Sequence, residues 1–228
     1  MTPAPRRVVV LRHGQTAFNR EGRVQGQLDV PLDDAGREQA AGAARHLSGV
    51  PGSAVASDLS RAWETAHIVA GDLGVRADPR LRELDLGTWQ GLTTAEIQQR
   101  WPGEYEAWQH GADVARGGGE TYADAGARSA ECIREALLAV PAGATLLAVT
   151  HGGTARAALG VLLELDPKSW WVLAPLGNAA WSVLVEGERG WRLERHNISP
   201  GPLVGPGVGA HDLGARPAEE GPAGEPVK

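Results

Sequence analysis

Predicted strands that alternate with predicted helices through most of the chain point to an α/β fold, with a largely parallel sheet and helices on both faces. Two further observations support this. The apolar runs "VVVL" and "TLLAV" have the length and β-branched content of strands buried on both faces. Each also ends abruptly on polar residues followed by glycine: Arg12-His13-Gly14 and His151-Gly152-Gly153. In open α/β sheets the carboxyl ends of the strands are where ligands bind.

The elements follow in order. "RRVVVLRHG" reads as a strand. "LDDAGREQAAGAARHLSG" reads as an amphipathic helix, with Asp33 or Asp34 available as N-cap and Gly49 near its end. "GSAVASDL" is a small-residue strand, and "SRAWETAHIVAGDLG" is a helix closed by Gly74. "VRADPRLRELDLGTWQGL" reads as extended and loop-like. "TTAEIQQRW" reads as a helix with Thr93 or Thr94 as cap and Glu96 in capping-box range, continuing in helical turns after a break at Pro102. "RGGGE" is a loop. "TYADAGARSAECIREALLAVP" is a long helix ended by Pro141 and Gly143, "TLLAVTHGG" a strand, and "GTARAALGVLLELD" a helix. "GNAAWSVLVEGERGWRLERHN" reads as a hairpin turning at "EGERG". From about residue 199 the chain is dominated by Gly, Pro and Ala without an apolar period. The expected division is a domain over 1–198 and a disordered tail over 199–228.

Totals limit the function. The chain has 228 residues and a net charge of −6, which argues against a general nucleic-acid binder. No segment approaches the length of a membrane span, and the start lacks the apolar core of a signal peptide, so a cytoplasmic protein is expected. The single cysteine, Cys132, excludes an intramolecular disulfide and reads as a small apolar residue on a buried helix face.

Three strand ends should bring Arg12 and His13, Ser57 and Asp58, and His151 to one edge of the sheet, with Arg61 one turn into the next helix. Arginine forks match phosphate oxygens and keep their charge. The glycines after each histidine permit close backbone approach and should open helices whose N–H groups face an anion. A neutral imidazole can also attack phosphorus. Taken singly, "RHG", "HGG" and Arg61 are weak signals; their joint order is the strong one. "RGGGE" lacks the Lys-Ser/Thr of a P-loop and does not follow a strand.

With "LRHGQTAFN", "RVQGQLDVPLDDAGREQA", "SDLSRAWETA", "LRELDLGTWQGLT", "GGET" and "VTHGG" in this order, residues 7–198 resemble the histidine phosphatase, or phosphoglycerate mutase-like, superfamily. That resemblance implies a three-layer α/β/α fold with a small helical cap. It implies that His13 is the nucleophile that becomes phosphohistidine. Arg12, Arg61 and His151 would hold the phosphoryl oxygens, with Asn19 in support, and Glu83 would be general acid and then base. Gln25, Gly26 and Gly152 join the expected substrate-binding residues. No metal and no cofactor are implied. The partner is a small phosphomonoester, and a homodimer is the expected assembly.

Two expectations attach to this chemistry. Surrounding cations should lower the pKa of His13, and its second ring nitrogen needs a backbone acceptor. A bound phosphate dianion should raise the pKa of Glu83 toward neutrality. The segment 92–119 is short and "RVQGQLDVPL" resembles the phosphatase branch, so hydrolysis is favoured over mutase activity. An inactive binding module is disfavoured because Arg12, His13, Arg61, Glu83 and His151 are all present. His46, His67, His110, His196 and His211 match no motif and read as solvated or packing residues. Trp101 and Trp108, in the variable helical segment, are candidates for the pocket lining.

Overall fold

The computed structural model describes residues 4–200, so the tail read over 199–228 and His211 lie almost wholly outside the described residues. Four parallel strands form one side of the sheet: β1 (Arg7–Arg12), β2 (Ser53–Ala56), β3 (Val75–Ala77) and β4 (Thr145–Thr150). An antiparallel hairpin, β5 (Trp181–Gly187) and β6 (Gly190–Ile198), extends it beyond β1, giving the order β3-β2-β4-β1-β5-β6. β4 lies between β1 and β2 and all six of its residues are buried. That explains an unbroken apolar run without polar alternation.

The pleat of β4 splits the core in two. Leu146 and Ala148 face one apolar cluster with Val8 and Val10, completed by Ile133 and Leu137 of α6 (Tyr122–Leu138) and Ala155 and Leu159 of α7 (Gly152–Leu162). Leu147 and Val149 face another with Val9 and Leu11, completed by Ala43 and Leu47 of α2 (Asp34–Leu47) and Ala62 and Ala66 of α3 (Ser60–Ala70). The result is the expected α/β/α sandwich. A third cluster, built on Leu84, Trp89, Ile97, Trp108 and Trp170, supports a small cap containing α4 (Thr94–Arg100) and α5 (Pro102–Gln109).

The helix caps follow local chemistry. Asp33 accepts from Gly36 N at the start of α2, and capping boxes Thr93/Glu96 and Thr121/Asp124 open α4 and α6. Several boundaries differ from the sequence expectation. α3 stops at Gly71, not Gly74, because Gly71 already leaves the helical region with φ at 59°. The break expected at Pro102 is present: α4 ends at Arg100 and Pro102 begins α5, where its missing N–H costs nothing. Residues 75–77 form an edge strand; two of its three residues are exposed, so they carry no apolar signal. A five-residue helix, α1 (Ala17–Glu21), follows His13 after a loop, so Gly14 does not itself open a helix. Gly14 serves instead to let two backbones touch: a Cβ there would lie 2.3 Å from the Gly36 carbonyl oxygen at the start of α2.

Cys132 is buried on α6 beside Asp78; burial and that carboxylate push its thiol up to about 12. It is a packing residue. His46 packs near Trp181, and His67 and His110 bond to carbonyls one turn back on their own helices. His196 bridges Ser182 and the Ala174 carbonyl. No helix among the described residues is long and apolar enough to cross a membrane.

Candidate active site

Parallel pairing brings the expected strand ends together. His13 N donates to Thr150 O at 3.0 Å, tying the end of β1 to the end of β4, and Ser57 N donates to Val149 O at 2.9 Å, tying in β2. Arg12, His13, Arg61 and His151 are all buried there. β6 adds a fourth strand end, which brings Asn197 and Ser199 to the same cavity.

His13 has a defined tautomer. Its Nδ1 lies 2.7 Å from Gly14 O, an atom that can only accept, so Nδ1 carries the proton. Nε2 makes no hydrogen bond among the described residues and keeps its lone pair. Burial, then Arg61 and Arg12, hold the ring well below the ordinary imidazole pKa, so it is neutral at pH 7. The direction matches the expectation from sequence, but burial outweighs the cations. The missing acceptor, Gly14 O, is the histidine's own neighbour.

His151 lies with its ring centroid 5.0 Å from that of His13. Arg61 Nε donates to His151 Nδ1 at 3.2 Å, which places the His151 proton on Nε2, 2.9 Å from Ser57 Oγ. Burial and the neighbouring Arg61 also push this imidazole well below its ordinary value. Ser57 is therefore a site residue whose importance the sequence left open; its position at a strand end was the available signal. Arg61 is fully buried, and its two other nitrogens donate to Leu28 O and Gly26 O at 2.7 Å each. Burial lowers its pKa to about 10, so it stays charged at neutral pH. Gly26 thus acts through its carbonyl, by fixing the arginine.

Arg12 Nη1 donates to Leu176 O at 2.6 Å. Its guanidinium lies over the first residue of α7: a Cβ on Gly152 would sit 3.3 Å from the guanidinium carbon. Glu83 does not pair with Arg80 or Arg82. Those arginines bind Asp78 and Glu135, and Asp58, respectively. The Glu83 carboxylate instead occupies the first turn of α7, accepting from Gly153 N at 3.1 Å and Thr154 N at 2.9 Å.

The loop before Glu83 is held by a residue that sequence reasoning missed. Arg128 on α6 donates to the carbonyls of Arg80, Arg82 and Glu83. It also forms a two-point pair with Glu120, whose Oε2 accepts from Asp85 N. The "GGET" stretch was the signal: its glutamate anchors the arginine that fixes the Glu83 loop.

Asn19 belongs to the capping box of α1 and also accepts from Asn178 Nδ2 at 3.2 Å. Gln25 Oε1 accepts from Thr16 Oγ1 at 2.9 Å. Asn19, Gln25, Gly26 and Gly152 line the same cavity as the five core candidates, except that His151 lies behind Arg61 and Ser57 rather than on the lining. The cavity has a volume of about 1070 Å³, much more than a phosphate needs. Trp108 lines it and Trp101 does not; Trp89, Tyr105 and Tyr122 also contribute. Trp101 packs into the cluster beneath the cap instead. Six arginines and two glutamates on the lining make the cavity cationic in a chain of net charge −6. Such a cavity attracts anions. Among the described residues no group of three His, Cys, Asp or Glu side chains could hold a metal ion.

The description "Histidine phosphatase superfamily (branch 1)" matches residues 8–199, the span that carries every element of this site. The chain belongs to that superfamily. Among its relatives is the glucosyl-3-phosphoglycerate phosphatase of Mycobacterium tuberculosis, 43% identical over 189 residues, which cover 78% of this chain and 85% of the relative. The protein of the same name from Mycolicibacterium vanbaalenii is 40% identical over 214 residues, 85% of this chain and 95% of the relative. The solved structure of a mycobacterial glucosyl-3-phosphoglycerate phosphatase in complex with VO3 superposes with a TM-score of 0.80 at 43% identity, covering 85% of this chain and all of that one. This histidine phosphatase therefore shares both its sequence blocks and its architecture with named phosphatases.

Proposed function

We propose that this histidine phosphatase hydrolyses glucosyl-3-phosphoglycerate by way of a phosphohistidine on His13. The observation that carries the mechanism is the neutral, Nδ1-protonated His13 in a cationic cavity, with the Glu83 carboxylate seated at the same rim. Nε2 of His13 forms a bond to phosphorus. The ester P–O bond breaks, and its electron pair leaves with the alcohol oxygen, which takes a proton from Glu83. Water then gives a proton to Glu83 and attacks phosphorus, the P–N bond breaks, and inorganic phosphate departs. Arg12 and Arg61 stabilise charge on the non-bridging oxygens during both transfers. His151, whose two ring nitrogens are engaged by Arg61 and Ser57, acts through Arg61 in this geometry; its direct hold on the phosphoryl group requires exchange of the Ser57 bond.

The substrate rests on the relatives named above and on the stretches "RVQGQLD" and "GNAAWSVL", which resemble that phosphatase group. Hydrolysis rather than mutase chemistry is supported by the short cap segment, which leaves water a path to the intermediate. The same reading makes the enzyme metal-independent, cytoplasmic, homodimeric and without a nucleic-acid partner. It keeps the catalytic domain at 1–198 with a separate tail; the family match ending at residue 199 supports that division. The test is a panel of phosphomonoesters ranked by kcat/KM, with glucosyl-3-phosphoglycerate, 3-phosphoglycerate and α-ribazole phosphate included, run with and without EDTA. Glucosyl-3-phosphoglycerate should rank first with no effect of EDTA. His13→Ala should abolish turnover and acid-labile protein phosphate; a residual rate above about a tenth of wild type is incompatible with a nucleophile.

A further inference from the structure

Arg116, like Arg156, is a buried cavity arginine that lies against an aromatic ring. Its residue is 6% exposed, its Nε has no hydrogen-bond partner, and no carboxylate pairs with it among the described residues. Arg20 and Arg23, at the same cavity, are paired with Asp33 and with Glu21 and Glu96. The Arg116 guanidinium carbon lies 5.4 Å from the Trp108 centroid and 4.6 Å from that of Tyr122, and the Glu104 carboxylate accepts from the adjacent Gly117 N. Ring faces favour a cation but accept no hydrogen bonds of ordinary strength. A buried guanidinium without an anion is costly unless something completes it.

The backbone holds Arg116 in place. The following residues, Gly117 and Gly119, are packed on the Asp85–Gly87 backbone so closely that a Cβ on Gly117 would lie 2.4 Å from Leu86 O. Glu120 N also donates to Asp85 O at 2.8 Å. Arg116 is therefore fixed relative to Glu83, two residues before Asp85. Both line one cavity, with Arg12 and His13 at the phosphoryl end.

We infer that Arg116 forms a second anion subsite, which binds a carboxylate of the substrate while His13 and the arginines beside it take the phosphate. The inference rests on the phosphoglycerate reading for the identity of that anion. The substrate class is thus a phosphomonoester with a second negative group near the ester, and Arg116 selects it.

The matched pair 3-phosphoglycerate and glycerol 3-phosphate differs by a carboxylate in place of a hydroxymethyl group. The readout is the ratio of their kcat/KM values in wild type, Arg116→Met and Arg116→Lys, with p-nitrophenyl phosphate turnover and Tm measured on each. Arg116→Met should lower the ratio by about 10–100-fold, the worth of one charge-assisted contact. Arg116→Lys, which keeps the charge, should retain more of the ratio, and it carries the test by itself if the methionine variant does not fold. Equal losses on both members of the pair would overturn the subsite and leave Arg116 a packing residue. If wild type ranks glucosyl-3-phosphoglycerate first but both variants keep the wild-type ratio, the subsite falls and the reading stands. If glucosyl-3-phosphoglycerate is not preferred but Arg116→Met still lowers the ratio, the reading falls and the subsite stands.

Discussion

Replacing Glu83 by glutamine removes the proton that the leaving alkoxide needs and disturbs one hydrogen bond. Two backbone donors converge on Oε1, Leu84 N at 3.0 Å and Thr154 N at 2.9 Å, and the Thr154 hydroxyl, 3.1 Å away, shares its one proton between Oε1 and Arg82 O at 2.9 Å. Only Gly153 N, at 3.1 Å, reaches Oε2. The glutamine oxygen should therefore take the Oε1 place, leaving its NH2 group opposite Gly153 N–H, donor against donor. One lost bond with an unsatisfied donor costs about 1–3 kcal/mol. For a domain of this size each kcal/mol lowers Tm by about 2–4 °C. The catalytic loss is larger for substrates that need the proton, about 10²–10⁴-fold for a general acid. An alkyl ester such as 3-phosphoglycerate should lose that full factor in kcat. p-Nitrophenyl phosphate, whose leaving group departs as a stable anion, should lose only the small part due to misplaced geometry. Steady-state kinetics on the two esters, with Tm from thermal unfolding, measures both effects. Equal losses on the two esters would refute Glu83 as the acid, and an unchanged Tm would refute its seat on α7.

Stability should fall with acidity below about pH 6.5, because His13 and His151 are neutral in the fold but take up protons in the unfolded chain near the ordinary imidazole value. The folded pKa values are lowered, so the unfolded state binds more protons as pH drops, and these two groups add no pH dependence above that value. Their joint limiting slope is about 2.7 kcal/mol per pH unit, and Tm followed from pH 8 to 5 in phosphate-free buffer should show it; a flat profile would contradict the buried neutral pair. Arg128→Met should release the Glu83 loop and lower kcat for 3-phosphoglycerate about tenfold, with a clearly smaller loss on p-nitrophenyl phosphate. The same loss on both esters would make Arg128 a residue of the fold and not a positioning residue.

The parts of the site that can be read from sequence share one property: the chemistry lies next to a strong local pattern. Arg12 and His13 end the apolar run of β1, His151 ends that of β4, and Arg61 opens α3 just after β2. The sheet then does the assembling. What the sequence conceals depends on long-range contacts or on burial. Arg128 holds carbonyls 45 to 48 residues away, and no spacing rule relates it to Glu83. Arg116 sits in a glycine-rich loop that carries no apolar pattern, yet it is buried against Trp108 of α5 and Tyr122 of α6. β3 and α1 are short and carry no buried periodicity, so neither leaves a pattern to detect.

Helix α7 has a further consequence for selectivity. His151 is its N-cap, the Glu83 carboxylate is seated on its first turn, and Arg156, which also lines the cavity, comes one turn later. One turn is a rise of about 5–6 Å. The seat of Glu83 and a second cation of the cavity lining are thus set along a single stiff rod. A thermal shift of α7 carries both together and leaves their separation unchanged. A ligand of the wrong length cannot recover its fit by bending the protein between these points, so the helix works as a calliper whose jaws are set when the chain folds.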